Sequence, residues 1–383
     1  VDLFVNISSS PFEMGKAAIR RDMIRQHAAR HRVPFLYLNQ VGGNDELIFD
    51  GHSLGFDASG GLLLRADDFE EAFTVVDVLI AGAAAEVAGL KPRLHDTGLA
   101  AVSESREEEA WQALRLGLRD YVRKCGFTSV VLGLSGGIDS ALTAALAADA
   151  LGPAQVTGIA MPTRFSSDHS LRDAEALARN LGIAYHVVPI DDIFQSYLDA
   201  LAPVLPDSQG VAEENIQARV RGAVLMAYSN THGYLLLSTG NKSELAVGYC
   251  TLYGDMCGGL AVINDVPKTL VYDLARYVNR NGDLIPVSSI TKPPSAELRP
   301  NQTDQDTLPP YEVIDAIVEG YVERGLDRAA LVAQGLDPGV VADVIGRIDR
   351  NEYKRRQAAP GLRITAKAFG IGRRFPIAAD YGG

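Results

Sequence analysis

An apolar strand, a glycine-rich turn and a helix follow one another without interruption between residues 131 and 151. The apolar run at 131–134 ends in Ser-Gly-Gly at 135–137, and an alanine-rich segment extends from Ala141 to Leu151. Two glycines allow the backbone to turn tightly and to approach a ligand closely. The helix that follows offers unpaired N–H groups and the positive end of its dipole to an anion. The segment therefore predicts a phosphate site at the end of a buried strand.

The side chains around this turn suit a nucleotide phosphate. Ser135 and Ser140 add hydroxyl donors, and Asp139 supplies the type of oxygen ligand that Mg²⁺ prefers. The turn has neither the Gly-Lys-Ser/Thr ending of a Walker loop nor a Gly-x-Gly-x-x-Gly pattern. It resembles the PP-loop of ATP pyrophosphatases, enzymes that split ATP into AMP and pyrophosphate. The alternative is an ordinary strand–helix turn in which Asp139 only caps the helix.

Strands and helices alternate from residue 107 onward. This alternation predicts right-handed βαβ units and a doubly wound parallel sheet, an α/β fold. Ligands of such sheets bind at the carboxyl ends of the strands, so the loops that follow them are expected to converge on one crevice. The predicted strands are 129–134, 155–161, 184–188 and 234–239.

Residues 1–95 follow a different pattern and are predicted to form a separate domain. We expect a buried strand from Val1 to Ile7, a helix at 16–30, a strand at 33–39, and a hairpin that pairs 53–56 with 62–64. The block resembles the C-terminal part of a nitrilase-type glutaminase domain, which implies a partial αββα fold. The stretches that carry the resemblance are NISSSPFEMGK, VPFLYLNQVGG and DELIFDGHS.

The glutaminase resemblance implies a Glu–Lys–Cys triad whose thiolate attacks the glutamine amide. In the family the triad lies upstream of the segment seen here, so no residue is assigned to it. We expect a truncated sequence rather than a lost glutaminase, because half a domain would leave apolar faces uncovered. Ser10 and Lys16 would contact glutamine; a local turn at Ser10 and a solvated Lys16 are the alternative.

Residues 96–106 are predicted to be a linker, and residues 107–383 a second domain. That domain resembles the NAD synthetases, which implies a PP-loop fold of the adenine nucleotide alpha-hydrolase-like type. The implied reaction is ATP-dependent amidation of deamido-NAD to NAD through an acyl-adenylate, with glutamine-derived ammonia as nitrogen donor. The matching stretches are GLSGGIDSAL, AEENIQARVRG, STGNKSELAVGYCTLYGD, DVPKTLVY, KPPSAELRPNQTDQDTLPPY and NEYKRRQAAPG.

The same resemblance implies individual residue roles. Asn215, Glu244 and Lys354 would contact deamido-NAD, and Asp139 and Glu244 would bind Mg²⁺. Each has a simpler alternative, such as a solvated carboxylate at Glu244, a backbone-bonded amide at Asn215, or a solvated basic run around Lys354. The residues implied to bind ATP are Gly133, Leu134, Ser135, Gly136, Gly137, Ile138, Asp139, Ser140, Thr239, Lys268 and Ser295.

Composition limits the other possibilities. The net charge of −12 argues against a nucleic-acid surface, and no apolar run approaches the roughly 20 residues of a membrane helix. Three cysteines are too few for a disulfide framework, which indicates reduced thiols in a cytoplasmic protein. By resemblance we expect a homodimer or a larger homo-oligomer.

The sequence favours other functions less. They are a different PP-loop amidotransferase such as a GMP synthetase, a tRNA-modifying enzyme, and a non-catalytic nucleotide-binding protein. A dehydrogenase would rest on the lone Gly370-Ile371-Gly372, and no His/Asp/Glu cluster has the ligand spacing of a metal hydrolase.

Overall fold

The computed structural model of the chain describes residues 1–78, 90–92, 99–100, 103, 105–205, 210–370 and 372–379. The chain divides into two compact units, Val1–Asp120 and Tyr121–Gly383. Residues 96–98, 101–102 and 104 of the predicted linker lie outside the described residues, as does Ile371, so the domain boundaries stay a prediction. Among the helices that are described, none is both long and apolar enough to cross a membrane.

The first unit is built on a four-stranded sheet of order β1-β2-β5-β6. The first two strands are parallel and the others antiparallel, so the predicted hairpin of β5 and β6 is confirmed. Helix α1 buries Ile24 and Ala28 against the sheet. The elements are β1 (Phe4–Ser8), α1 (Lys16–His31), β2 (Phe35–Asn39), β3 (Val41–Asn44), β4 (Leu47–Asp50), β5 (Leu54–Phe56), β6 (Leu62–Arg65), β7 (Val76–Val78) and β8 (Leu90–Pro92).

The prediction that the first strand is buried is wrong. Val5 is 60% exposed and Ile7 is 79% exposed. In the described part of the chain, β1 is an edge strand that pairs with β2 alone, so an apolar sequence does not bring burial with it. Apolar composition identified the strand, but its place in the sheet decides how much of it is covered.

The second unit contains the predicted parallel sheet, of order β11-β10-β9-β12-β13. All four pairings are parallel, which confirms the doubly wound fold. The central strand β9 reads Val-Val-Leu-Gly and its apolar residues are fully buried, as expected for a strand covered on both faces. The strands are β9 (Val130–Gly133), β10 (Val156–Ala160), β11 (Ala184–Val187), β12 (Leu235–Ser238) and β13 (Leu260–Ala261).

Helices connect these strands and continue beyond them. Helix α2, which contains the boundary between the units, buries Trp111, Leu114, Leu118 and Val122 as predicted. Helices α10 and α12 form a further core that the sequence did not predict. The helices are α2 (Arg106–Lys124), α3 (Ile138–Leu151), α4 (Asp168–Leu181), α5 (Asp191–Leu201), α6 (Val211–His232), α7 (Lys242–Val247), α8 (Lys268–Val278), α9 (Val287–Thr291), α10 (Tyr311–Val318), α11 (Arg328–Ala333), α12 (Pro338–Arg350) and α13 (Glu352–Arg355).

Candidate functional site

A cavity of about 310 Å³ lies in the second unit at the carboxyl ends of the parallel strands. The last residues of β9, β10 and β12 (Gly133, Ala160 and Ser238) all line it. The loops that follow these strands line it too, so the expected convergence on one crevice is confirmed. The parallel sheet thus brings together residues that are about 100 positions apart in sequence, such as Asp139 and Asn241.

The turn after β9 is shaped by glycine. Gly136 has φ 76°, and a Cβ there would lie 2.2 Å from the carbonyl oxygen of Ser170. Gly137 is the N-cap residue of α3 and has an extended backbone, and no side chain caps the helix there. The first N–H groups of α3 therefore face the cavity without a side-chain cap, which is the arrangement that binds phosphate. The hydroxyls of Ser135 and Ser140 lie 3.2 Å apart beside the turn.

A buried ammonium joins the two carboxylates that were predicted to bind Mg²⁺. Lys268 Nζ lies 2.5 Å from Asp139 Oδ2 and 3.3 Å from Glu244 Oε1. Lys268 is 1% exposed, and its ammonium lies 5.2 Å from the centre of the Tyr311 ring. The carboxylates themselves remain 19% and 17% exposed and line the cavity.

Asn241 fixes the relative position of these two carboxylates. Its side-chain oxygen accepts from the backbone N–H of Glu244 and so caps α7, while its amide nitrogen donates to Asp139 Oδ1 over 2.9 Å. Glu244 returns the contact through Oε2, which accepts from the Asn241 backbone N–H. One amide therefore ties the start of α7 to the start of α3.

Burial and charge together set the protonation of this group. Burial raises the pKa of Glu244, and Lys268 opposes that shift only in part. For Lys268, burial would lower the pKa, but Asp139 and Glu244 more than offset it and the pKa is raised. Lys268 is therefore a permanent cation at this position.

A third carboxylate, Asp304, belongs to the same group. It is 3% exposed and lines the cavity, and Tyr311 donates its hydroxyl to Oδ2 over 2.7 Å. Oδ1 has no hydrogen-bond partner. Burial raises the pKa of Asp304, and the charge of Lys268 works against the shift. When all three acids are ionised, they outnumber the single ammonium by two negative charges.

The carboxylates of this group can supply part of the usual coordination of a Mg²⁺ ion. Mg²⁺ is commonly held by one or two carboxylates, with phosphates and water as the remaining ligands. Asp139 and Glu244 supply two, and Oδ1 of Asp304 is a further buried acceptor without a hydrogen-bond donor. Within the described ranges, no group of three or more His, Cys, Asp or Glu side chains is arranged to hold a metal by itself. The remaining ligands would come from phosphate and water.

The structure brings most of the predicted site residues to the cavity, although it does not test their roles. Gly136 is next to the lining, and its carbonyl accepts from Ser289 Oγ. Asn215 and Lys354 lie behind the lining: Asn215 accepts from Thr251, and Lys354 donates to the carbonyls of Gly248 and Cys250. The predicted residues that line the cavity are Gly133, Leu134, Ser135, Gly137, Ile138, Asp139, Ser140, Thr239, Glu244, Lys268 and Ser295.

The predicted glutamine-binding residues lie in the first unit. The backbone N–H of Ser10 donates to Asn39 Oδ1, and Lys16 donates to the Pro11 carbonyl over 2.9 Å. Both side chains are half-buried. Their role in binding glutamine stays a prediction.

Several residues of the cavity carry no site role that the sequence predicts. Asp304 and Glu297 lie in the proline-rich stretch 293–310, where the only signal was the motif itself. Glu297 accepts from the hydroxyls of Ser167 and Ser170. Arg221, which also lines the cavity, donates to the Met161 carbonyl. The three cysteines are free, as expected.

Comparison with known proteins identifies relatives along the whole chain. The family model described as NAD synthase matches residues 110–358. The chain is 50% identical to the glutamine-dependent NAD(+) synthetase of Synechocystis sp., an alignment that covers 100% of this chain and 67% of that protein.

Solved structures agree with that result. A glutamine-dependent NAD+ synthetase from Acinetobacter baumannii in complex with ADP has a TM-score of 0.71 at 42% identity, covering 98% of this chain and 68% of that one. An NH3-dependent NAD synthetase from Campylobacter jejuni has a TM-score of 0.52 at 30% identity, covering 65% of this chain and 95% of that one.

Proposed function

The chain belongs to the glutamine-dependent NAD(+) synthetase family, and from this premise we propose how its cavity carries out the reaction. The reaction is ATP-dependent amidation of deamido-NAD to NAD, with glutamine as the source of nitrogen. The observation that carries the proposal is the uncapped start of α3 beside the group of Asp139, Glu244 and Lys268.

The chemistry explains why such a cavity is needed. A carboxylate is a poor acyl donor, because its leaving group would be oxide. The nicotinate carboxylate attacks the α-phosphorus of ATP, a new O–P bond forms, and the bond from the α-phosphorus to pyrophosphate breaks. In the acyl-adenylate that results, AMP is the leaving group. Ammonia then attacks the carbonyl carbon, AMP departs with the C–O bond electrons, and a proton is lost. No protein nucleophile takes part, so positioning and charge stabilisation must supply the rate enhancement.

We assign the phosphate contacts to the PP-loop and Lys268. The N–H groups at the start of α3 and the hydroxyls of Ser135 and Ser140 would hold the phosphates. Lys268 would neutralise charge that develops on the departing pyrophosphate, since its ammonium is permanent and faces the cavity. Thr239 and Ser295 line the same cavity and would contact the rest of the ATP.

Asp139 and Glu244 are proposed to hold Mg²⁺, which would neutralise part of the negative charge of the phosphates. Asn215 and Lys354 would act on deamido-NAD through the loop at 248–251. Lys354 donates to the carbonyls of Gly248 and Cys250, and Thr251, which lines the cavity, donates to Asn215. Both residues would then orient the substrate indirectly.

A coupled assay tests this proposal on the 383-residue chain. Deamido-NAD, ATP and Mg²⁺ are supplied with ammonium chloride, and NAD is quantified with an alcohol dehydrogenase. We expect NAD to form, and Asp139→Asn to lower its rate by about 10²–10³-fold, a typical loss for a stabilising group. Absence of NAD at saturating ammonium, from a protein that still binds ATP, would contradict it. A parallel reaction with glutamine in place of ammonium, run on a chain that includes a glutaminase triad, tests the nitrogen donor separately.

We further propose a homodimer or larger homo-oligomer in the cytoplasm. Exposed apolar side chains on α5 and α6 support self-association: Ile193 is 43% exposed, Tyr197 52% and Val211 72%. Three free thiols are compatible with a reducing compartment. Light scattering after size-exclusion chromatography measures the assembly, and a mass of about one chain would contradict it.

A further inference from the structure

Lys268 lies where a metal ion between Asp139 and Glu244 would have to bind. One ammonium contacts an oxygen of each carboxylate, over 2.5 and 3.3 Å. Asn241 already donates to the other oxygen of Asp139, and the Asn241 backbone donates to the other oxygen of Glu244. Lys268 therefore contacts the remaining oxygen of each acid.

A divalent cation and a buried ammonium repel each other strongly at contact distance, because little water is present to screen them. The two cations therefore compete for the same two oxygens. Lys268 holds its position well, with 1% exposure and the Tyr311 ring beside it. A free metal ion would have to displace it without offering the ammonium a new partner.

A nucleotide triphosphate removes this obstacle. Lys268 lines the same cavity as the PP-loop, and its backbone is fixed independently, since its N–H donates to Ser243 Oγ over 2.8 Å. The four-carbon stem of a lysine can therefore redirect the ammonium while α8 stays in place. A phosphate oxygen at the PP-loop would then accept a hydrogen bond from this ammonium.

The group also retains attraction for the incoming metal. Asp304 adds a third buried carboxylate with an unpartnered Oδ1. Once Lys268 contacts the phosphate instead, Asp139 and Glu244 lose the ammonium that they share. A metal that arrives with the nucleotide then replaces the charge that the lysine gave up.

We propose that Lys268 holds the place of the metal between Asp139 and Glu244, and that the metal enters only together with the triphosphate, in exchange for this ammonium. The inference rests on the proposed assignment of Mg²⁺ to these two carboxylates. Metal and nucleotide binding are then positively coupled, and the bare protein has little affinity for the metal.

Electron paramagnetic resonance of free Mn²⁺ tests this without any turnover. Mn²⁺ is titrated into the protein alone and into the protein with α,β-methylene-ATP, whose own binding of Mn²⁺ is measured separately. For the unaltered chain we expect the protein to bind Mn²⁺ at least about tenfold more tightly with the analogue than without it, after the Mn²⁺ held by the analogue alone is subtracted. This factor lies within the usual range of coupling between sites. Tight binding of Mn²⁺ that is independent of the analogue would overturn the proposal, and this comparison needs no variant to fold.

Two lysine variants sharpen the result. Lys268→Met should bind Mn²⁺ at least about tenfold more tightly than the unaltered chain when no nucleotide is present. Lys292→Met is the matched control, because Lys292 lines the same cavity but donates to Ser170 and Asp173 instead, and it should behave as the unaltered chain does. Equal binding by Lys268→Met and the unaltered chain, with circular dichroism showing a folded variant, would contradict the exchange.

Asp139→Asn distinguishes the metal site itself from the exchange with Lys268. If Mn²⁺ binding falls in this variant but is insensitive to nucleotide in the unaltered chain, the metal site stands and the exchange is wrong. If Mn²⁺ binding is the same with and without Asp139, the proposed metal site is wrong, and the exchange is wrong with it.

Discussion

Two buried lysines of the second unit illustrate how similar ion pairs serve different ends. Lys242 is 0% exposed and lies 3.0 Å from Asp265 and 2.6 Å from Glu323; Lys268 is 1% exposed and also contacts two carboxylates. Composition and burial do not distinguish them. The difference lies in what else surrounds each ammonium.

The surroundings of Lys242 are closed. Thr365 Oγ1 and the carbonyl of Lys367 complete its contacts, and Asp265 accepts from the backbone of Ile364 and Thr365. This group ties the C-terminal segment to the start of α7. The partners of Lys268, in contrast, border a cavity that neither Asp265 nor Glu323 lines. A buried ion pair is therefore a structural tie where its partners lie away from a cavity, and a candidate for function where they border one.

The largest expected effect is on stability at the closed group. Lys242→Met leaves Asp265 and Glu323 without their cation, and a broken buried pair costs about 3–5 kcal/mol. Urea unfolding followed by circular dichroism measures it. A loss under about 1 kcal/mol, the value of a surface pair, would remove the distinction between the two lysines.

The next effect is on turnover at the open group. Lys268→Met should reduce kcat for ammonium-dependent NAD formation by about 10²–10³-fold, since it removes a charge aimed at the departing pyrophosphate. Steady-state kinetics at saturating ATP measure it. Activity of folded Lys268→Met within about threefold of the unaltered chain would show that this lysine, too, is only structural.

A glycine pair tests the packing of the PP-loop. An alanine Cβ at Gly136 would lie 2.2 Å from the Ser170 carbonyl, whereas Gly233, at φ 68°, has open space around it. Both substitutions carry the cost of a positive φ, so Gly136→Ala should be about 1–3 kcal/mol less stable than Gly233→Ala. Equal unfolding free energies would mean that the loop relaxes readily.

The smallest effect concerns pH. Burial raises the pKa of Glu244 above its ordinary 4.5, so the folded chain binds this proton more tightly than the unfolded chain. Its contribution to the unfolding free energy is complete below pH 4.5 and is lost as the pH rises above that value, by at most about 1.4 kcal/mol per pH unit.

Glu244→Gln lacks this dependence and should gain stability relative to the unaltered chain as the pH rises from 5. Exposed Glu312→Gln is the control and should show no such trend. Thermal unfolding across pH 5–8 measures both variants. Parallel profiles for Glu244→Gln and the unaltered chain would mean that Lys268 fully compensates the burial of Glu244.

The sequence predicted the parallel sheet and the PP-loop because both depend on local order. Continuous apolar runs, two glycines and the helix after them lie within about 20 residues. Lys268 and Glu244 entered only through longer motifs, because Lys268 is 129 positions from Asp139. The tie between Lys242 and Thr365 spans 123 positions and had no local signal.

The errors and omissions have the same origin. The exposure of Val5 and Ile7 depends on where β1 lies in its sheet, which apolar content does not reveal. Helices α8–α13 lie beyond the region where strands and helices alternate, and the sequence pattern did not predict them. The unpartnered Oδ1 of Asp304 could be found only once Tyr311 was placed against the other oxygen.

The most direct test of the proposed chemistry follows an oxygen atom. Deamido-NAD labelled with ¹⁸O at both carboxylate oxygens is converted with ATP, Mg²⁺ and ammonium, and the products are analysed by mass spectrometry. If the cavity activates the carboxylate at the α-phosphorus, one ¹⁸O appears in AMP, the other remains in the amide of NAD, and pyrophosphate is unlabelled. Label in ADP, phosphate or pyrophosphate, or AMP without label, would contradict the acyl-adenylate route.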